Sequence, residues 1–222
     1  MKKRIIRRAF LDTLPVMSGY LVLGFGFGIL MKAAGFGILL TLVMSLFVYA
    51  GSMQYAAVGL LTGGASLMTV GLTTLMVNAR HLFYGISMLD KYRRVGARKA
   101  YLIFGLTDET YSLVCQKTPD DHFGAYSTWV TLFDHAYWVA GSVLGAVVGT
   151  LVRFNSDGIE FALTALFLTV FLEQWMTAKR HAPALIGVGA SALCLAIFGA
   201  ESFLIPSMLI IALLLSVYKE GD

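Results

Sequence analysis

The sequence predicts an all-α polytopic membrane protein, with about six to eight transmembrane segments. Three observations carry that prediction. Only 14% of the residues are charged, where a soluble domain of this size carries roughly 25%. The chain is 58% hydrophobic, with a mean hydropathy of +0.76. Apolar stretches of the ~18 residues or more that span a bilayer recur along its whole length. No polar stretch is long enough for a separate soluble domain, so residues 1–222 form one membrane domain.

Taken in order, the apolar segments lie at residues 14–31, 37–62, 65–89, 97–116, 127–152, 158–178, 183–199 and 202–218. The first follows a basic head, "MKKRIIRR", and reads as an uncleaved first helix rather than a signal peptide. The second lies in a run with no charged residue from Ala33 to Val77. Its centre, "YAGSMQYA", sets the weak point Ala50, Gly51 and Ser52 beside the amide of Gln54. Charge placement explains that joint. Five basic residues precede the first segment, and five more (Lys91, Arg93, Arg94, Arg98 and Lys99) follow the third. Both clusters belong on the cytoplasmic side. Three full crossings between them would separate them, so 37–62 is expected to fold back as a re-entrant hairpin hinged at Gly51. Arg153 and the pair Lys179 and Arg180 impose the same condition on 158–178, which is expected to be broken too. Both termini then lie in the cytoplasm.

The fourth segment, "GLTDETYSLV", sets Asp108 and Glu109 near its middle, as adjacent helical positions about 100° apart. The fifth, from residue 127, carries Asp134 and His135, then Gly141, Gly145 and Gly149 at four-residue spacing. These glycines, with Gly24 and Gly28, make small-residue faces for close helix packing. An offset of about 120 residues relates "GFGFGILMKAAG" to "GAVVGTLVRFNSDG" and Gln54 to Gln174. The repeats would be 14–116 and 127–218, inverted, so 14–31 and 127–152 would run in opposite directions.

A charge near the bilayer centre costs ~2.5–3.5 kcal/mol even on mild scales, so intramembrane charges mark the places where chemistry happens. Asp108, Glu109, Asp134 and Glu173 are the acidic candidates. Arg80 has three readings: pairing with Asp108 or Glu109, holding a solute carboxylate, or snorkelling to the surface. Pairing is the favoured one. Helix breaks free backbone N–H and C=O groups that suit a small zwitterion. Gln54 and Gln174 stand at or near such breaks and are candidate solute contacts, as are Ser52 beside Gly51 and Asn78 in the third segment. The alternative is that the amides of Gln54 and Gln174 only repair the broken backbone. Cys115 and Cys194 have no metal or disulfide spacing. No cofactor or metal is expected. HExxH, GxSxG and Walker patterns are absent, which argues against an intramembrane enzyme or a nucleotide hydrolase.

Several stretches together resemble the AzlC family, large subunits of bacterial branched-chain amino acid exporters. They are "PVMSGYLVLGFGFG", "AGSMQYAA", "NARHLFYG", "LTDETY" and "DHAYWVAGSVLGAVVG". The resemblance implies export of leucine, isoleucine, valine and sometimes methionine across the bacterial inner membrane. It also implies a small hydrophobic AzlD-type membrane subunit as partner. Secondary transport driven by protons is then expected, with Asp108, Glu109 and Glu173 as coupling candidates. A structural or channel-like subunit for another small solute is the competing expectation.

Overall fold

In the computed structural model, the structure describes residues 2–93, 95–115, 117, 122–151, 168, 171–172, 175–176, 178, 180–199 and 203–218. The described residues are helical, with no strand among them. They divide into two units, residues 1–157 and 158–222.

Two long helices frame the first unit, α1 (Lys2–Ala33) and α8 (Phe123–Leu151). By length and composition both can cross a membrane. They pack through the glycines picked out in the sequence. A side-chain carbon on Gly28 would lie 2.0 Å from the Ser142 carbonyl oxygen, and one on Gly145 would lie 2.0 Å from that of Phe25. The register rises together along both helices: Leu21 meets Gly141, Phe25 meets Gly145, and Lys32 meets Gly149. Phe10 against Phe133 continues the same order toward their N-termini. The two helices are therefore parallel, which corrects the opposed directions expected for 14–31 and 127–152.

The reason lies between them. After α1, the chain turns at residues 34–37 and returns along α8 as α2 (Ile38–Phe47). It bends sharply, and α3 (Gly51–Thr62) turns back. Gly51 faces Trp138, while Tyr55 reaches Leu23 and packs on Phe27. This is the hairpin expected of 37–62. Its tightest residue is Tyr49, with φ 42°, rather than Gly51. Gly51 instead leaves room for the Trp138 ring, 3.0 Å from where a side-chain carbon would stand.

The third segment, expected to be one span, is two helices: α4 (Leu67–Val77) and α5 (Arg80–Tyr92), meeting at residues 78–79. The fourth departs further. It is a short pair, α6 (Lys99–Phe104) and α7 (Asp108–Val114), broken at residues 105–107. Leu102 on α6 and Val114 on α7 lie in one core with Ala9, Met88, Tyr92, Phe123 and Tyr126. Both arms of α6–α7 thus begin and end beside the N-termini of α1 and α8. Segment 97–116 is a second hairpin rather than one continuous helix, and this is why α8 starts at the same end as α1. Asp108 and Glu109 correspondingly sit in the first turn of a half-helix, not in the middle of a span.

Lys91 holds the return arm by donating to the carbonyls of Cys115 and Lys117 at the open end of α7. Lys117 in turn reaches Asp12 at 3.5 Å, and the Tyr126 hydroxyl donates to the same carboxylate at 2.6 Å. The two basic clusters therefore share one end of the unit. Lys91→Met removes a charged donor from two carbonyls. It should lower unfolding stability by about 1.5–3 kcal/mol, read as an earlier thermal transition of the purified protein.

In the second unit, α9 (Ala182–Phe198) and α10 (Leu204–Val217) pack together, with Ala190 and Cys194 buried. Pro183 falls in the first turn of α9, where its missing N–H costs no helical bond. Most of 158–178, with Glu173 and Gln174, and also Arg153 and Lys179, lies outside the described residues. The expected second broken element and its part in a repeat lie there too.

Candidate functional site

The tips of the two hairpins and the α4–α5 break converge. Arg80, the first residue of α5, donates to the Ser52 hydroxyl at 3.1 Å and to Asp108 Oδ2 at 2.8 Å. It therefore joins the first turn of α3 to the first turn of α7. Pairing, the favoured sequence reading of Arg80, is the arrangement found, and the partner is Asp108. The pair is not sealed in: the side chains are 38% and 36% exposed. Arg80 Nε and Asp108 Oδ1 nevertheless have no hydrogen-bond partner among the described residues. A cation and an anion are thus held side by side with bonding capacity left over.

Asn78 stands at the same break as the residue capping α4. Its carbonyl accepts from the His81 amide at 2.9 Å and lies 3.2 Å from His81 Nδ1. Gln54, two residues beyond Ser52 on α3, is fully buried. Its Oε1 accepts from Trp138 Nε1 at 2.9 Å, and its Nε2 donates to Ser45 across the hairpin at 3.4 Å. The amide thus ties α3 to α2 and α8. It braces side chains, where the sequence suggested solute contact or backbone repair. Ser52, Arg80 and Asp108 are drawn together, with Asn78 beside them.

A second polar cluster lies beside the first. Thr107 caps α7, its hydroxyl accepting from the Thr110 amide at 3.3 Å. Tyr20 on α1 lies 2.7 Å from the Thr107 hydroxyl and donates to Glu109 at 2.6 Å. The Thr110 hydroxyl meets Asp134 of α8 at 2.8 Å, and that carboxylate is fully buried. His135, next along α8, stacks against Tyr49 with centroids 4.2 Å apart and reaches the Ser45 carbonyl. Tyr20 and Tyr49 were not singled out in the sequence. Nothing in an apolar, glycine-rich helix marks Tyr20. Tyr49 could have been suspected only as the residue before the expected joint. No group of three or more His, Cys, Asp or Glu suited to a metal occurs among the described residues.

Comparison with known proteins covers the part of the chain that builds this site. The family described as "AzlC protein" matches residues 15–152, which include both hairpins, α4–α5 and α8. The chain belongs to the AzlC family. It is 45% identical over 216 residues to the "Branched-chain amino acid transport protein AzlC" of Bacillus subtilis (strain 168), covering 96% of this chain and 85% of that one. An "Uncharacterized membrane protein" of Haemophilus influenzae is 43% identical over 214 residues, 95% of this chain and 88% of the relative. The "Inner membrane protein YgaZ" of Escherichia coli (strain K12) is 28% identical over 190 residues, 82% and 78% of the two chains. No solved structure matches the chain.

Proposed function

We propose that this AzlC-family chain is the large subunit of a secondary transporter that exports branched-chain or other apolar amino acids across the bacterial inner membrane. Leucine, isoleucine, valine and methionine are the solutes in view. A small hydrophobic AzlD-type subunit completes it, and the proton gradient drives it. The observation that carries this reading is the Bacillus subtilis relative named for branched-chain amino acid transport, similar along nearly the whole chain.

The site geometry suits such a solute. A zwitterion presents one carboxylate and one ammonium group. Arg80 offers a guanidinium for the first and Asp108 a carboxylate for the second, with Ser52 and Asn78 at the edge. Each partner neutralises the other, so the site carries no isolated charge. The first turn of α3 has no side-chain cap, which leaves amide N–H groups to assist a carboxylate. Gln54 fixes the hairpin that presents Ser52, and Gln174 would serve a corresponding role in the second half. Asp108, Glu109, Asp134 and Glu173 are the acidic groups available for coupling. The shared basic end of α1, α5 and α8 is the cytoplasmic face.

Efflux tests the reading. Cells loaded with a valine- or methionine-containing dipeptide should release the free amino acid several-fold faster when this chain and its small partner are produced together. A protonophore should abolish the gain. Unchanged efflux with both proteins in the membrane would remove the substrate assignment.

A further inference from the structure

We propose that Asp134 and Glu109 share a single proton through a chain of three hydroxyls, Thr110, Thr107 and Tyr20, and that this chain is the proton-carrying element of the protein. The proposal deepens the proton-driven reading above and rests on it only for its consequence in transport.

The chain is continuous. From Asp134 Oδ2 the successive oxygen–oxygen contacts are 2.8 Å to Thr110, 3.2 Å to Thr107, 2.7 Å to Tyr20 and 2.6 Å to Glu109 Oε2. These four contacts need four hydrogens, and three hydroxyls supply three. With both carboxylates ionised, one contact is left with two oxygens and no hydrogen between them. One added proton completes the chain, and it does so in two ways. On Asp134, every hydroxyl donates toward Glu109. On Glu109, every hydroxyl donates toward Asp134. Passing from one state to the other breaks one O–H bond and makes one at each oxygen in turn, so the proton leaves one carboxyl and the other gains one. Thr107 can serve both states: it accepts from the Thr110 amide throughout and keeps one lone pair and one hydrogen for the chain.

A second observation concerns the helix that carries Asp134. Ser127, Thr131 and Asp134 lie at i, i+4 and i+7 on one face of α8. All three are fully buried, and Ser127 Oγ, Thr131 Oγ1 and Asp134 Oδ1 have no hydrogen-bond partner among the described residues. Helical hydroxyls ordinarily bond back to the preceding turn, as Thr128 does to Gly124 and Ser142 to Trp138 on this same helix. Ser127 and Thr131 do not. These unspent polar atoms form a row along α8 that leads from the basic end to Asp134. The far end of the chain, Glu109, adjoins Asp108, which pairs with Arg80. Other groups around the two carboxylates are Tyr49, Tyr101, Tyr126 and His135 near Asp134, Tyr49 beside both Glu109 and the Tyr20 hydroxyl, and Tyr84, which lies against Asp108 and faces Glu109 beyond it.

Infrared difference spectroscopy of the full chain purified in lipid tests the proposal without any transported solute. The wild type should show one protonated carboxyl at neutral pH, sensitive to deuterium exchange. Asp134→Asn and Glu109→Gln should each remove it, because either amide donates the missing hydrogen itself. In a Tyr20→Phe background, which keeps the ring and cuts the chain, the two substitutions should become independent, only one of them removing the band. Thr110→Ser should leave the wild-type signal. A band that survives one of the single substitutions would show a carboxyl holding its own proton and would overturn the sharing. So would the absence of any such band in the wild type. Loss of the band in both variants even without the Tyr20 hydroxyl would overturn the hydroxyl route. Normal infrared behaviour with no amino acid efflux would leave the proton chain standing and remove only the substrate reading.

Discussion

For the export proposed above, Arg80→Gln should reduce the rate by about 100-fold, equivalent to ~2.7 kcal/mol at the rate-limiting barrier, while much of the protein still reaches the membrane. The substitution removes the bond to Ser52 and the ion pair with Asp108 in one step. It leaves a lone carboxylate at the tip of α6–α7. In a fully buried pair, loss of one partner costs ~3–5 kcal/mol of stability. Here both side chains are more than one-third exposed, so the loss of stability should fall below that range. Arg80→Lys keeps the charge but cannot reach two partners with a planar fork, and should retain a small fraction of the rate. The double variant Arg80→Gln with Asp108→Asn separates the two effects. It removes the uncompensated charge, so thermal stability should return toward the wild-type value while export stays lost. Efflux rates and melting curves on the same preparations read both. Recovery of export in the double variant would mean that the pair only holds helices together.

How much of this site the sequence discloses depends on the kind of signal at each break. A joint was legible at 50–52, where Ala50, Gly51 and Ser52 interrupt an otherwise lipid-compatible run, and the break itself falls just before it at 48–50. The charge argument for 37–62 was legible too, and the structure brings both basic clusters to one end, as that argument requires. The α6–α7 break was misread. The charges of "LTDET" read as intramembrane groups, yet the same residues make an ordinary helix start: a capping threonine followed by two acidic residues in the first turn. Read as a cap, Thr107 ends one helix and begins another, and 97–116 becomes a hairpin. The parallel course of α1 and α8 then follows. The break at 78–79 carries neither glycine nor proline, and only its tertiary contacts explain it: Arg80 must stand where both hairpin tips can reach it. Tyr20 and Ser127 were invisible for a similar reason. A tyrosine or serine in an apolar helix has no meaning until its neighbours are known.

Gly145→Ala and Gly28→Ala should be the most damaging single-methyl changes on the frame. A small residue between helices is often replaceable because a neighbouring side chain moves aside. That escape is closed here. The added carbon at Gly145 would stand 2.0 Å from the Phe25 carbonyl oxygen, with further Phe25 backbone atoms at 2.7 and 2.8 Å. At Gly28 the obstacles are the Ser142 carbonyl, the Ala146 nitrogen and the Gly145 carbonyl carbon, at 2.0, 2.5 and 2.9 Å. All are main chain, so α1 and α8 must separate along their length. Overpacking that side chains can absorb costs ~1–3 kcal/mol, and these two sites should reach or pass the upper end. For a chain of this size ~3 kcal/mol corresponds to a fall of roughly 6–12 °C in the melting midpoint. The separation would also draw Tyr20 from Glu109 and Thr107, so transport should fall with stability. Gly19→Ala on the same helix is the control. Nothing lies within 4 Å of its added carbon, and alanine favours a helix over glycine by ~1 kcal/mol, so that variant should melt at or slightly above the wild type. If Gly28→Ala and Gly145→Ala melted with Gly19→Ala, the close parallel contact of α1 and α8 would be wrong. The meeting of the hairpin tips between them would fall with it.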